Sequence, residues 1–402
     1  MSKKWRFRSR LLDIVKRLAK YDKTLGIINN GVDNAYPERI DRYINNSVTA
    51  KTAAKIMASY LAGKGFEQNK MIVNDTKELT LQKFTQLISK NFAKQRGVFI
   101  SVQYNAQYKF SSLDVLPYSH CRLGKQDDNK YNGKIIVYDN WEGEDGKVDK
   151  EDYNVVDVFN TNEDVIQSQV DNVDGWNNYK GQILYVNLDE EYNYALSTID
   201  PVIYDCDSEG QSSMFKNKSI RKGFFGKTLV ITQPLAGTLD EYDNAELYAD
   251  AVSERENFKE TVEKFIGAEN AGGVLHLELE HDGDNFDQAI KFENIASDID
   301  DKLFEYTEAS VFKAILLAFN SIPQGMIRQT DAVFGNSGEA LKEMKLSYQD
   351  NTSQERDELE QLIQKLMSNF HKESGEFEII PLIEEEEIKE ETEIETDATA
   401  DK

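Results

Sequence analysis

The sequence predicts an α+β fold with helical segments at both ends and an antiparallel β-rich middle. Three observations carry this. Apolar residues recur at helical spacing from Ile299 to Asn320 and again from Asn336 to Phe370, they alternate at period two in several runs between Val98 and Leu188, and a strand–helix–strand pattern occupies 223–283. A chain of 402 residues, 40% apolar, is too long for one ordinary core and divides into two to four modules.

The ends differ in charge. Met1 to Leu25 holds nine Lys or Arg against two Asp, a basic arm over 1–25 whose residues 5–20 read as an amphipathic helix; packing on an acidic neighbour is favoured over contact with a membrane or nucleic acid. Its pair Leu11-Leu12 is broken by Asp13, which leaves no signal-peptide core. Tyr36-Pro37 opens a helix, and Ala53, Ala54, Ile56, Met57, Tyr60 and Leu61 form the close-packing face of a second, ended by Gly63-Lys64-Gly65. The period then becomes two, and 90–190 reads as a mostly antiparallel sheet. Its strands are Val98–Tyr104, Lys134–Tyr138, Val155–Phe159 and Gln182–Leu188, with a solvated hairpin tip between Glu142 and Asp152.

Asp200-Pro201 starts a helix over 200–222, in which Ile203, Cys206, Gly210 and Met214 keep one face of small residues suited to a crowded ring of identical helices. Thr228–Thr232 reads as a strand, Asn244–Phe265 as a helix with Leu247, Ala251, Phe258, Val262 and Phe265 inward, and 274–279 as a second strand. The helix over 299–320 stops at Ser321-Ile322-Pro323, because proline has no amide hydrogen and drives the residue before it out of helical geometry. Asn336 with Glu339 forms a capping box for a helix running unbroken to Phe370. Glu376 to Lys402 carries twelve acidic and two basic residues, a density that keeps a segment from packing and predicts a disordered tail, although Phe377, Ile379 and Ile380 offer a docking strand.

The functional reading begins with exclusions. A net charge of -25 disfavours a protein that grips nucleic acid by neutralising phosphates. Cys121 and Cys206 are far apart and read as reduced structural thiols, in keeping with cytoplasmic synthesis. No apolar run approaches the ~18 residues of a membrane span. Gly226-Lys227-Thr228 is similar to a phosphate loop, but Arg221 stands where its first glycine belongs. Asp282, Asp284 and Asp287 miss the calcium-loop pattern at Phe286, and His120, His276, His281 and His371 have no zinc spacing. No catalytic, metal or cofactor site is expected.

Three blocks of sequence resemble tailed-phage portal proteins. They are Asn34-Ala35-Tyr36-Pro37-Glu38 with Tyr60 to Phe66, Phe258 to Phe265 with Gly267 to Leu275, and Ala314 to Pro323 followed by Phe334-Gly335-Asn336-Ser337. Each is weakly specific, and their order over roughly 300 residues carries the resemblance. It implies a wing at 26–199, a first stem helix at 200–222, a clip at 223–283 and a second stem helix at 284–320. A wing edge and tunnel loop at 321–338, a long helix with a crown-like segment at 339–375 and the acidic tail at 376–402 complete it. The implied assembly is a ring, usually of about twelve subunits, at a capsid vertex. Its implied partners are double-stranded DNA, the terminase motor, head-to-tail adaptors, and the major capsid and scaffold proteins. Arg328, Gln329, Asp331, Phe334 and Asn336 would face DNA. Lys227, Thr228, Asn270, Gly272, His276 and Glu278 would serve docking at the clip. An acidic adaptor or scaffold without a channel is the alternative, and an enzyme using scattered carboxylates with a metal has the least support.

Overall fold

The computed structural model describes residues 21–22, 25–125, 133–141, 154–189, 191–221, 227–232, 244–265, 290–295, 301–327, 338–372 and 375–383. They form two units, one built from Met1–Ile203 with Ile315–Lys402 and the other from Tyr204–Ala314. The first is discontinuous in sequence, and the second is inserted within it.

The first unit begins with the small hairpin β1 (Tyr21–Asp22) and β2 (Ile27–Ile28). Pro37 sits in the first turn of α1 (Tyr36–Asn46), where its missing N–H costs nothing, and the helix buries Tyr36, Pro37, Ile40 and Ile44. Ser47 caps α2 (Val48–Ala62) by accepting a hydrogen bond from the Ala50 amide. Its buried Ala50, Ala53, Ala54 and Ala58 let neighbouring backbones approach closely, as expected. The short pair β3 (Ile72–Asn74) and β4 (Leu79–Thr80) leads into α3 (Leu81–Gln95), capped by Thr80 and packed through Leu81, Phe84, Ile88 and Phe92. Here the sequence reading is corrected, because 90–95 is helix and the sheet begins at Gly97.

Six strands make that sheet. They are β5 (Gly97–Tyr104), β6 (Phe110–Leu116), β7 (Cys121–Leu123), β8 (Lys134–Val137), β9 (Asn154–Val158) and β10 (Gln182–Asn187), in the spatial order β6-β5-β10-β9-β8-β7. Every pairing is antiparallel except β10 with β9. The exception has a cause in α4 (Glu163–Asp171), an unexpected helix capped by Asn162 and buried through Ile166 and Val170, which carries the chain back across the sheet. Side chains separate by strand alternation. Phe99, Cys121, Ile135 and Ile183 join Ile28, Tyr118 and Tyr194 in one core, whereas Ile136 joins Ile27, Tyr138 and Trp141 in another.

In the inserted unit, α5 (Ile203–Arg221) follows a 3-10 turn at Asp200–Val202, and β11 (Lys227–Thr232) pairs antiparallel with β12 (Ile290–Ile295). Asn244 caps α6 (Ala245–Phe265) through the Leu247 amide. Two expectations change. Strand β12 lies in 284–320, so the helical part of that segment starts only with α7 (Asp301–Ala318), and Leu247 is 48% exposed rather than inward. Lys216 of α5 and Glu308 of α7 form an ion pair within this unit. The expected hairpin tip at 142–152 and the strand at 274–279 lie outside the described residues, as do the basic arm through residue 20 and the capping pair's Asn336.

Two helices replace the expected continuous one, α8 (Gly338–Asn351) and α9 (Ser353–Met367). The break is at Thr352, fully buried, whose hydroxyl donates to the Tyr348 or Gln349 carbonyl, each 3.1 Å away, while its backbone leaves helical geometry. Such a hydroxyl competes with the helix for its own carbonyls, so no proline is needed.

Beyond α9 the chain returns to α2. Phe377 and Ile379 are buried, the Ile380 amide donates to Gly65 O, and Ile380 O accepts from the Lys64 amide, both at 2.8 Å. The expected disordered tail therefore shortens, since 376–383 is docked. Gly63, which ends α2 at φ 54°, makes the docking possible, because a Cβ there would meet Ile380 O at 2.3 Å. Gly63→Ala is expected to cost about 1–3 kcal/mol in urea unfolding and to speed proteolytic removal of the segment after Gly375. Unchanged cleavage would show that the segment is held elsewhere.

Candidate functional site

The residues expected to face DNA, Arg328, Gln329, Asp331, Phe334 and Asn336, lie outside the described residues, as do Asn270, Gly272, His276 and Glu278. Lys227 and Thr228 open β11, opposite Ile295 and Asn294. What is described is the joint at Asn320–Ser321, which precedes residues 328–337 in sequence, and the block Asn34–Glu38, bonded to the turn before α5.

The joint follows α7. Asn320 and Ser321 both take left-handed backbones, φ 54° and 58°, a costly conformation for residues with a Cβ. Side chains from α8 and α9 hold it. Asn320 donates to Asn351 O and to Glu355 Oε1, both at 3.1 Å, and Tyr348 donates its hydroxyl to Phe319 O at 3.2 Å. Glu355 also faces Arg96 at 3.5 Å, the residue that ends α3 with φ 51°. Phe319 and Ile322 are buried on either side, after which Pro323 starts a 3-10 turn at Gln324–Met326. The proline stop was legible in the sequence, whereas the left-handed pair and its clamp were not.

The second place is a buried cation. Arg122 on β7 has a side chain with no exposure. Its Nε donates to Asn34 Oδ1 at 2.6 Å, Nη1 to the Ser119 and Cys121 carbonyls at 2.7 and 2.9 Å, and Nη2 to Asn34 O at 2.7 Å and Glu38 Oε1 at 3.1 Å. The indole of Trp141 lies 5.1 Å from the guanidinium carbon. All five donors are used, which offsets the large cost of removing the charge from water. Sequence reasoning missed Arg122, because a cation between Cys121 and Leu123 reads as the wet face of a strand. The unused signal was the cluster Asn34 to Glu38, rich in acceptors.

Tyr36 from the same block extends the network toward α5. Its hydroxyl donates to Asp200 Oδ1 at 2.7 Å and accepts from the Ser197 amide at 3.0 Å, while Ser197 Oγ donates to Lys94 O at 2.6 Å. The turn that starts α5 is thus bonded to α1 and α3.

Neither place has the form of a reaction centre. Burial pushes the Cys121 thiol up to about 12 against the pull of Arg122, so it stays a protonated core residue rather than a nucleophile. Cys206 is also buried and forms no disulfide. Among the described residues no group of three His, Cys, Asp or Glu could hold a metal ion, and no helix is long and apolar enough to cross a membrane. The geometry can fix the backbone at Asp200–Val202 and at Asn320–Ser321 within the first unit.

No protein-family model matches the chain, and no curated protein does. Among solved structures it is similar to the neck of an empty gene transfer agent particle computed with sixfold symmetry, at 13% identity over 86% of this chain and 84% of that one, TM-score 0.48. It is also similar to the neck of a native gene transfer agent particle computed with twelvefold symmetry, at 13% identity, 86% and 84% coverage and TM-score 0.43. A third is an HK97-family phage portal protein from Corynebacterium diphtheriae, at 8% identity, 76% of this chain, 83% of that one and TM-score 0.38.

Two substitution sets test the site. Arg122→Met is expected to destabilise the first unit by about 3–5 kcal/mol, read by urea unfolding with Trp141 fluorescence, because it strands Glu38 and several carbonyls; a loss below about 1 kcal/mol would make the network incidental. At the joint, Asn320→Gly keeps the left-handed backbone and loses only hydrogen bonds, about 0.5–1.5 kcal/mol. Asn320→Ala loses both, about 2 kcal/mol or more, so the stability order is wild type, glycine, alanine.

Proposed function

We propose that the chain is a portal subunit, closing with identical copies into a ring at one capsid vertex through which double-stranded DNA is packaged and ejected. The observation that carries this reading is the insertion of Tyr204–Ala314 into the first unit, with the long helix α5 at its start and α7 running across its end. That order supports the stem, clip and stem that the sequence resemblance implies. In this reading α5 and α7 line the passage, and 223–283, with Lys227, Thr228, Asn270, Gly272, His276 and Glu278, is the clip on which the terminase motor and later the head-to-tail adaptors dock. The loop that leaves the Asn320 joint carries Arg328, Gln329, Asp331, Phe334 and Asn336 toward DNA. The capsid and scaffold proteins surround the ring.

Two properties support a ring over a solitary globule. Tyr204 and Met214 on α5 are 72% and 46% exposed, and Leu317 on α7 is 68% exposed, apolar surface that a neighbouring copy would cover. The net charge of -25 suits a conduit, because DNA slides only where no register is bound tightly. Screening within about 8 Å keeps such repulsion local. The portal itself needs no energy source, since the motor supplies it.

Particle size is the test. About twelve copies of a 46.0 kDa chain form a closed ring of roughly 0.55 MDa, visible by negative-stain electron microscopy and native mass spectrometry. The paired change Tyr204→Glu with Met214→Glu is expected to abolish rings while leaving the far-ultraviolet circular dichroism intact. Solitary subunits of the unaltered chain, even with capsid and scaffold proteins present, would overturn the proposal and favour an acidic adaptor.

A further inference from the structure

A groove of about 570 Å³ runs between α1, α2 and α3 in the first unit. Lys51 and Lys55 of α2 and Lys90 and Lys94 of α3 line it, over an alanine floor, with Leu382 at its edge and no carboxylate in its wall. Each pair is spaced four residues apart on its helix, so like charges stand on the same face, an arrangement that costs stability unless an anion offsets it. Lys94 reaches Asp41 at 3.1 Å. Among the described residues Lys51, Lys55 and Lys90 form no ion pair. Four cations converging on one apolar groove are unusual on a chain of net charge -25.

We infer that this groove holds an acidic polypeptide segment, and that its occupant is the chain's own stretch from Glu384 to Asp397. Two observations identify it. The docked C-terminal segment brings the backbone to the groove, since Leu382 lines it and Ile383, the last residue described before Glu384, is fixed by a pair of hydrogen bonds of 3.0 Å to the Gln349 side chain. The stretch that follows has matching chemistry. Glu384 to Asp397 contains nine carboxylates and one lysine, with four glutamates in its first four positions and Ile388 and Ile394 between the later ones. Extended, those four glutamates reach about 13 Å from Ile383, enough to pass two helical turns of lysines. The isoleucines provide apolar contact for the floor formed by Ala54 and Ala58. An occupied groove also denies its lysines to nucleic acid, in a protein whose remaining charge repels it.

Zero-length carbodiimide crosslinking of the full chain, mapped by mass spectrometry, tests this directly. Crosslinks are expected from Glu384 to Glu391 to Lys51, Lys55 and Lys90, above those to lysines of equal exposure elsewhere, such as Lys83. The paired change Lys51→Glu with Lys55→Glu is expected to lower the remaining yield at Lys90 by about fivefold, the effect of losing two exposed charge pairs. Mixing isotope-labelled and unlabelled copies separates tail contacts within one chain from those between chains. Crosslinks only between copies would overturn the assignment in favour of a neighbour's tail. Crosslinks spread evenly over surface lysines would overturn the groove as a site, and unchanged lysine acetylation in a chain ending at Ile383 would do the same.

Discussion

A guanidinium without access to water fixes how the first unit is put together. Arg122 bonds to the approach to α1 at Asn34, to α1 itself at Glu38 and to the backbone of its own strand and the turn before it, with Trp141 over its face. Lysine could not replace it, because three donors on one nitrogen cannot reach acceptors in several directions. An apolar side chain of the same size could fill the space, but it would not select one alignment of helix and sheet. Charge burial here sets geometry more than stability.

The same block reaches the start of α5 through Tyr36, whose hydroxyl meets Asp200 and the Ser197 amide. At the other end of the insertion, Asn320 and Glu355 hold the chain as it leaves α7. Both places are held within the first unit by hydrogen-bonded side chains as well as by apolar packing.

Much of this fold was legible because its elements carry their own period. Pro37 and Gly63 mark their helix ends without help from tertiary structure, and β5 alternates from Ile100 to Tyr104. Other elements needed context. Strand β6 is displaced by an irregularity between Gln103 and Tyr104, so Phe110 and Leu113 fall out of simple alternation. Helix α4 buries only Ile166 and Val170, too weak a stripe to stand out. The division at Thr352 depends on one buried hydroxyl, and the role of Arg122 depends on a partner 84 residues earlier. Residues whose meaning lies in distant acceptors leave no local trace, which is why the organisation of the chain could be read and its buried polar framework could not.

The first unit is interrupted in sequence, and this bears on its synthesis. Helix α9 packs on α2 and α3, and Ile380 bonds beside Gly65, so surfaces formed early are completed by residues made more than 250 positions later. While the ribosome is still producing the insertion, α2 and α3 lack the helix that packs on them. Closure waits for residues this far along, so the first unit is complete only after translation has passed Ile380.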